Sequence, residues 1–233
     1  MSHDIEAILF DKDGCLCDFA ATWDAWVAGQ IAHFAAGDDE VRARLAEALC
    51  FDLERGGFRP ESPVIAGTNR DTATCIASVL PELDVDRVEA HIEREAARVM
   101  VAEVVPLAPF LAGLRAKGLR LAVVTNDAEA VARAQMQNAG ADGHFDVITG
   151  ADSGFGAKPA PGPVLGTLRL LGVDPARAVM VGDSAHDLDA GRAAGLRVVG
   201  VLSGLAGRAE LEPLADAVLP DIGHLPDWLG IEA

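Results

Sequence analysis

The segment Ala7-Ile8-Leu9-Phe10 is apolar throughout and runs directly into Asp11-Lys12-Asp13-Gly14-Cys15-Leu16. A short apolar run closed by turn residues reads as a strand buried on both faces. Two acids one residue apart at its carboxyl end occupy the position where an open α/β sheet binds its ligands. Like charges that close resist joint ionisation unless a cation joins them. Asp and Gly are also ordinary turn residues, so the pair by itself leaves a solvated turn as the other reading. The pattern recurs downstream. Leu121-Ala122-Val123-Val124 leads into Thr125-Asn126-Asp127, and Ala178-Val179-Met180-Val181 leads into Gly182-Asp183-Ser184-Ala185-His186-Asp187. Between them Lys158-Pro159 lies in a Gly-rich loop.

An acid, a hydroxyl, an amine and further acids, each at or beside a strand end and in this order, resemble the haloacid dehalogenase superfamily of phosphohydrolases. Its motifs read DxDG, then S or T after the second strand, then K, then GDxxxD, and all four occur between Asp11 and Asp187. The resemblance implies a Rossmann-like, doubly wound parallel α/β core with a small all-helical cap inserted after the first strand. The chain agrees with that division. From Asp18 to Glu103 apolar residues recur at helical spacing, with Trp23, Val27, Ile31 and Phe34 on one face and Val88, Ile92, Ala96 and Val99 on another. Asp86 with Glu89 looks like a helix start of the capping-box kind. From Val104 short β-rich runs alternate with helical ones, which implies a mainly parallel sheet covered on both faces. The expected core is residues 1–17 and 104–233 and the expected cap 18–103, joined by hinge strands at Cys17 to Phe19 and Val101 to Leu107.

The 233 residues are half hydrophobic, enough for a substantial core plus a small second unit. No stretch reaches the roughly 18 apolar residues that span a bilayer. The start Met1-Ser2-His3-Asp4-Ile5-Glu6 is acidic and lacks the regions of a signal peptide, so a cytoplasmic, membrane-free protein is expected. Cys15, Cys17, Cys50 and Cys75 show no metal spacing and read as reduced thiols. A net charge of −17 argues against nucleic acid as a partner. It opposes an anionic substrate only at long range, and because salt screens charges separated by more than about 8 Å, a locally positive pocket suffices.

The resemblance implies a Mg²⁺-dependent phosphatase acting on a small phosphorylated metabolite. Asp11 would attack phosphorus to give an aspartyl-phosphate, and Asp13 would serve first as acid to the leaving alkoxide and then as base to water. Thr125 and the Asn126 backbone amide would bind the transferring phosphoryl oxygens, and Lys158 would offset both phosphate and Asp11. Asp11, the main-chain carbonyl of Asp13 and Asp183 would ligate Mg²⁺, with Asp187 an outer or occasional ligand. Asp13 argues against dehalogenation, which has no alkoxide to protonate. The absence of lysine from Asp18 to Glu103 excludes relatives that form a Schiff base through a cap lysine.

Sugar phosphomutases share all four motifs and stay as the alternative, although Cys15 to Gln30 lacks the His they often carry; a non-catalytic phosphate-binding protein is the alternative of another class. Cys15 is expected to pack behind the loop, or to sensitise the enzyme to oxidation if exposed. In the cap the polar loops around Arg55 and Arg59, and from Ser62 to Arg70, are candidates to enter the cleft, where Arg59 or Arg70 could grip a carboxylate such as that of phosphoglycolate. Surface ion pairs are the other reading for these arginines. Both monomer and homodimer fit the sequence.

Overall fold

The computed structural model describes residues 5–231. Met1 to Asp4, on which the reading of the chain start partly rests, lie outside the described residues. The elements in chain order are β1 (Ala7–Phe10), α1 (Phe19–Ala35), α2 (Asp39–Ala48), β2 (Phe51–Asp52), β3 (Gly57–Phe58), α3 (Pro63–Ala66), α4 (Asn69–Val79), α5 (Val85–Ala96) and α6 (Leu107–Ala116). They continue with β4 (Arg120–Val124), α7 (Glu129–Asn138), β5 (Val147–Thr149), α8 (Gly162–Leu171), β6 (Ala178–Gly182), α9 (Ala185–Ala193), β7 (Arg197–Val201), α10 (Arg208–Leu211), β8 (Ala217–Leu219) and α11 (Leu225–Leu229).

Six strands form one parallel sheet in the order β5-β4-β1-β6-β7-β8. The chain builds outward from β1 through β4 and β5, then returns to the other side for β6, β7 and β8. Strand order therefore reverses at β1, and the crevice at that reversal opens beyond the carboxyl ends. Phe10 is in register with Val123 on one side and Val181 on the other. The tips bearing Asp11, Thr125 and Asp183 thus emerge side by side.

Alternation along β1 divides the core into two layers. Ile8 and Phe10 face Leu107, Leu111 and Leu114 of α6, together with Met136 of α7 and Leu225 of α11. Ala7 and Leu9 face Val164 and Leu168 of α8, Leu188 of α9 and Leu211 of α10. Every β1 residue is fully buried, so helices cover both faces and the sheet can present polar groups only at its ends.

The segment between β1 and α6 has a hydrophobic core of its own, built from Val27, Ile31, Leu45, Leu49, Phe51, Ile76, Val88 and Ile92. It differs from the all-helical expectation in holding a small hairpin, in which Phe51 pairs with Phe58. Two strands of chain join it to the sheet: Asp18 N donates to Ala102 O (2.8 Å) and Val104 N to Leu16 O (3.0 Å). The expected hinge strands reduce to a single bridge between Cys17 and Glu103, because Phe19 already opens α1 beneath its Asp18 cap and Leu107 opens α6. The expected helix start at Asp86 also moves. Asp84 caps α5 by accepting from Arg87 N, which leaves the exposed Asp86 and the half-buried Glu89 to bind Arg70.

Candidate active site

Asp11, Asp183 and Asp187 converge with carboxylate oxygens all within 4.8 Å of one another, and all three residues are buried. Lys158 is buried beside them and donates to Asp11 Oδ1 (2.5 Å) and Asp187 Oδ1 (2.6 Å). One ammonium facing three carboxylates leaves two negative charges uncompensated. Burial first, and then the Asp187 charge, push the Asp11 pKa up to about 7 against the pull of Lys158. Asp183 is raised too, by burial and by Asp187 and Asp11. A hard divalent cation fits this excess and this all-oxygen donor set. Asp187 is the most committed of the three: its Oδ2 accepts from Ser184 N (3.1 Å) and Ser184 Oγ (2.6 Å), closing the capping box of α9, while its Oδ1 holds Lys158. It orients Lys158, in keeping with an outer place around a metal.

Two glycines make room for Asp183. Gly14 turns the chain at φ 79°, and a Cβ there would stand 2.3 Å from Asp183 Oδ2. A Cβ on Gly204, in the loop after β7, would stand 1.7 Å from the same oxygen. Gly14 belongs to the first motif, but nothing in the sequence around Gly204 marks it.

Asp13 lies in different surroundings. Its Oδ1 accepts from Trp23 Nε1 of α1 (2.7 Å) and its Oδ2 pairs with Lys12 Nζ (2.6 Å). Lys12 is fully buried. It also reaches Asp127 Oδ2 (2.9 Å) and donates to Gln135 Oε1 (2.6 Å). Gln135 in turn donates to Ala96 O at the end of α5 (3.0 Å). Burial alone would lower the Lys12 pKa, but the charges of Asp127 and Asp13 outweigh it and raise it, so the ammonium persists. Local sequence gives no role to Lys12, Asp127, Gln135 or Gly204. An unusual lysine between two acids was the one visible signal.

Thr125 is buried, its N–H held by Thr149 O (3.0 Å) and its Oγ1 accepting from Asp127 N (3.1 Å). Asn126 contributes a side chain as well as the backbone expected of it. Its amide donates to Lys158 O (3.0 Å) and to Ala66 O of the helical segment (2.9 Å), and accepts from Lys158 N (2.8 Å). Asn126 thus ties the lysine loop to α3. Cys15 is fully buried against Val181 O (3.5 Å), and burial followed by the Asp11 charge keeps its thiol protonated. Its place is packing, and the exposure that oxidation would require is missing.

The two cap arginines are a correction. Arg59 binds Glu47 (2.9 Å) and Glu61 (3.7 Å), and Arg70 binds Asp86 and Glu89. Neither lines the cleft that holds Asp11, Asp13, Thr125, Lys158, Asp183 and Asp187. In an acidic chain a guanidinium finds a surface carboxylate more readily than a cleft. Among the described residues no helix is long and apolar enough to cross a membrane.

The model of the haloacid dehalogenase-like hydrolase family matches residues 5–195, and the chain belongs to that family. It is 40% identical over 100 residues to a phosphoglycolate phosphatase of Aquifex aeolicus, a match covering 42% of this chain and 47% of that protein. It is 30% identical over 201 residues to an N-acetylmuramic acid 6-phosphate phosphatase of Pseudomonas aeruginosa, covering 86% of this chain and 83% of that protein. The chain spans about half the length of several phosphoglycolate phosphatases it matches at about 40% identity. In fold it is similar to the crystal structure of a predicted phosphoglycolate phosphatase from Haemophilus somnus, with a TM-score of 0.72 and 20% identity over 98% of this chain and 99% of that one.

Lys12→Met should unfold at lower denaturant than wild type, by about 3–5 kcal/mol, because it strands Asp13 and Asp127 without their buried cation. Equilibrium urea unfolding checks this. A second expectation concerns pH. The folded pKa of Asp11, about 7, exceeds the ordinary 3.8, so the folded protein binds the extra proton. Asp11 is then neutral toward stability below about pH 4 and increasingly destabilising as pH rises toward 7. In chelator, Asp11→Asn should match wild type near pH 4 and be more stable at pH 8, by on the order of a few kcal/mol. Thermal unfolding across that range gives the answer.

Proposed function

We propose that the protein is a Mg²⁺-dependent phosphatase that hydrolyses a small phosphate monoester through an aspartyl-phosphate on Asp11. The observation that carries this reading is the separation of two neighbouring carboxylates into unlike environments. Asp11 faces Lys158 and two further acids, whereas Asp13 is held by Trp23 and Lys12. Such a division supports different roles for two like groups.

In this reading Asp11 Oδ2 attacks phosphorus while Lys158 holds Oδ1 and offsets the charge of the transferring group. Asp13 gives its proton to the departing alkoxide, then removes one from the water that cleaves the phosphoenzyme. Trp23 and Lys12, one on each carboxylate oxygen, aim it for both tasks. The Thr125 hydroxyl and the Asn126 N–H bind the phosphoryl oxygens. Asp11, Asp183 and the Asp13 carbonyl would hold Mg²⁺, which supplies Lewis-acid stabilisation of charge on the phosphoryl group. Residues 1–17 and 104–233 act as the catalytic core, and 18–103 as a cap that excludes water over it. The family assignment and the phosphatase names of the relatives support the reading. Phosphoglycolate and N-acetylmuramic acid 6-phosphate are the substrates those names suggest for comparison.

Phosphate release from an aryl phosphate should require Mg²⁺, vanish in chelator, and fall at least about 10³-fold in Asp11→Asn. A wild type as inert as that variant on every ester would defeat the reading. Gly204→Ala, which drives a methyl into Asp183, should weaken Mg²⁺ activation by about 10–100-fold, the range for a residue that positions a metal ligand. An unchanged Mg²⁺ dependence would show that Asp183 is not a ligand.

A further inference from the structure

The cleft has two unlike walls. The sheet side is polar, with Asp11, Thr125, Asn126, Lys158 and Asp183. The side contributed by the helical segment is apolar: Phe19, Trp23, Trp26, Val27, Phe58 and Ile65. Trp23 and Trp26 stand edge to face with centroids 5.2 Å apart, and Phe19 and Phe58 likewise at 5.4 Å. Within this wall Val27 and Trp23 are almost wholly buried.

Charge in the cleft is just as one-sided. Among the described residues Lys158 is the only Lys or Arg lining it, and both Asp11 and Asp187 engage its ammonium. Asp13 and Asp127 line it too and share the buried Lys12, which leaves that cation engaged. Arg59 and Arg70 are spent on exposed carboxylates elsewhere. A second anionic group seated against the indole and phenyl rings would thus meet no Lys or Arg side chain there, His186 at the start of α9 being the one histidine among the described residues that lines the cleft, and burying such a charge unpaired is strongly unfavourable. The wall also has polar members, Thr68, Asn69 and Thr72, and among them Asn69 stands out. Asn69 Nδ2, at the start of α4, lines the cleft and is buried without a hydrogen-bond partner among the described residues. A donor left like that favours a ligand bringing one acceptor. The free space is about 80 Å³, room for roughly five to eight waters at about 10–15 Å³ each.

We infer, on the basis of the phosphatase reading, that the substrate is the phosphate monoester of a compact, uncharged alcohol with an apolar body. The apolar part seats against Trp23, Trp26, Val27 and Ile65, and an oxygen on it accepts from Asn69. Alcohols carrying a carboxylate are selected against. Asn69 and Ile65 are specificity residues that leave the attack by Asp11 untouched.

The test is kcat/KM of the full-length, Mg²⁺-loaded enzyme on benzyl phosphate, isopentyl phosphate, 2-phosphoglycolate and glucose 6-phosphate. Benzyl or isopentyl phosphate should exceed 2-phosphoglycolate by on the order of 100-fold. Ile65→Arg, which places a cation in the apolar wall, should shrink or reverse that ratio. Ile65→Met keeps the wall apolar and should preserve the ratio, separating charge from any loss of folding. If wild type prefers 2-phosphoglycolate, or Ile65→Arg leaves the ratio where it was, this inference is overturned and the phosphatase stands. If no ester is hydrolysed, the phosphatase reading falls and takes the inference with it.

Discussion

Five carboxylates, those of Asp11, Asp13, Asp127, Asp183 and Asp187, meet two buried ammonium groups at the carboxyl end of the sheet, and the arrangement of everything around them follows from that imbalance. Neither lysine is replaced cheaply, because a buried carboxylate left without its partner costs about 3–5 kcal/mol, a large share of a domain's net stability. Lys158 holds the side of the site that would bind phosphate and metal. Lys12 holds the side that would move protons. The two acids at the tip of β1 are separated by one residue and yet answer to different cations, since the chain turns sharply there, with Leu16 N and Cys17 N both donating to Lys12 O and Gly14 at φ 79°.

This division also explains how the helical segment is coupled to the sheet. Trp23 contributes its indole N–H to Asp13 and its ring to Lys12, at 5.1 Å from the ammonium. Gln135 joins Lys12 to Ala96, and Asn126 joins Lys158 to Ala66. Each lysine is therefore linked through one amide side chain to the helical segment above it. A displacement of that segment would break hydrogen bonds at both halves of the site at once, and its return would restore them together. Any movement of that segment would thus act on the surroundings of both lysines together.

The apolar wall is a consequence of the same economy of charge. A chain with a net charge of −17 has few cations to spare. Its surface arginines are drawn to surface acids, as Arg59 and Arg70 show, and its two buried lysines are committed to the sheet end. What lines the cleft from the helical segment is mainly aromatic and aliphatic surface, which packs well against an uncharged group and poorly against an anion.

By itself the sequence determined the strand tips, the order of the motif residues and the two-part organisation, because each is written in short-range signals: apolar runs ended by polar turns, periodicity near 3.6, and glycine at sharp bends. Asp11, Thr125, Lys158 and Asp183 were legible for that reason, being strand-end or loop residues within recognisable motifs. Only the tertiary structure decided what Lys12 does, since its partner Gln135 lies 123 residues away, and that Gly204 must be glycine, since the Asp183 carboxylate fills the space of a Cβ. The cap arginines went the same way: their polar, Gly- and Pro-rich loops looked suited to a cleft, but acids on neighbouring helices lay nearer than the site. Pairings between distant segments depend on how layers pack, and no local pattern of residues encodes that distance.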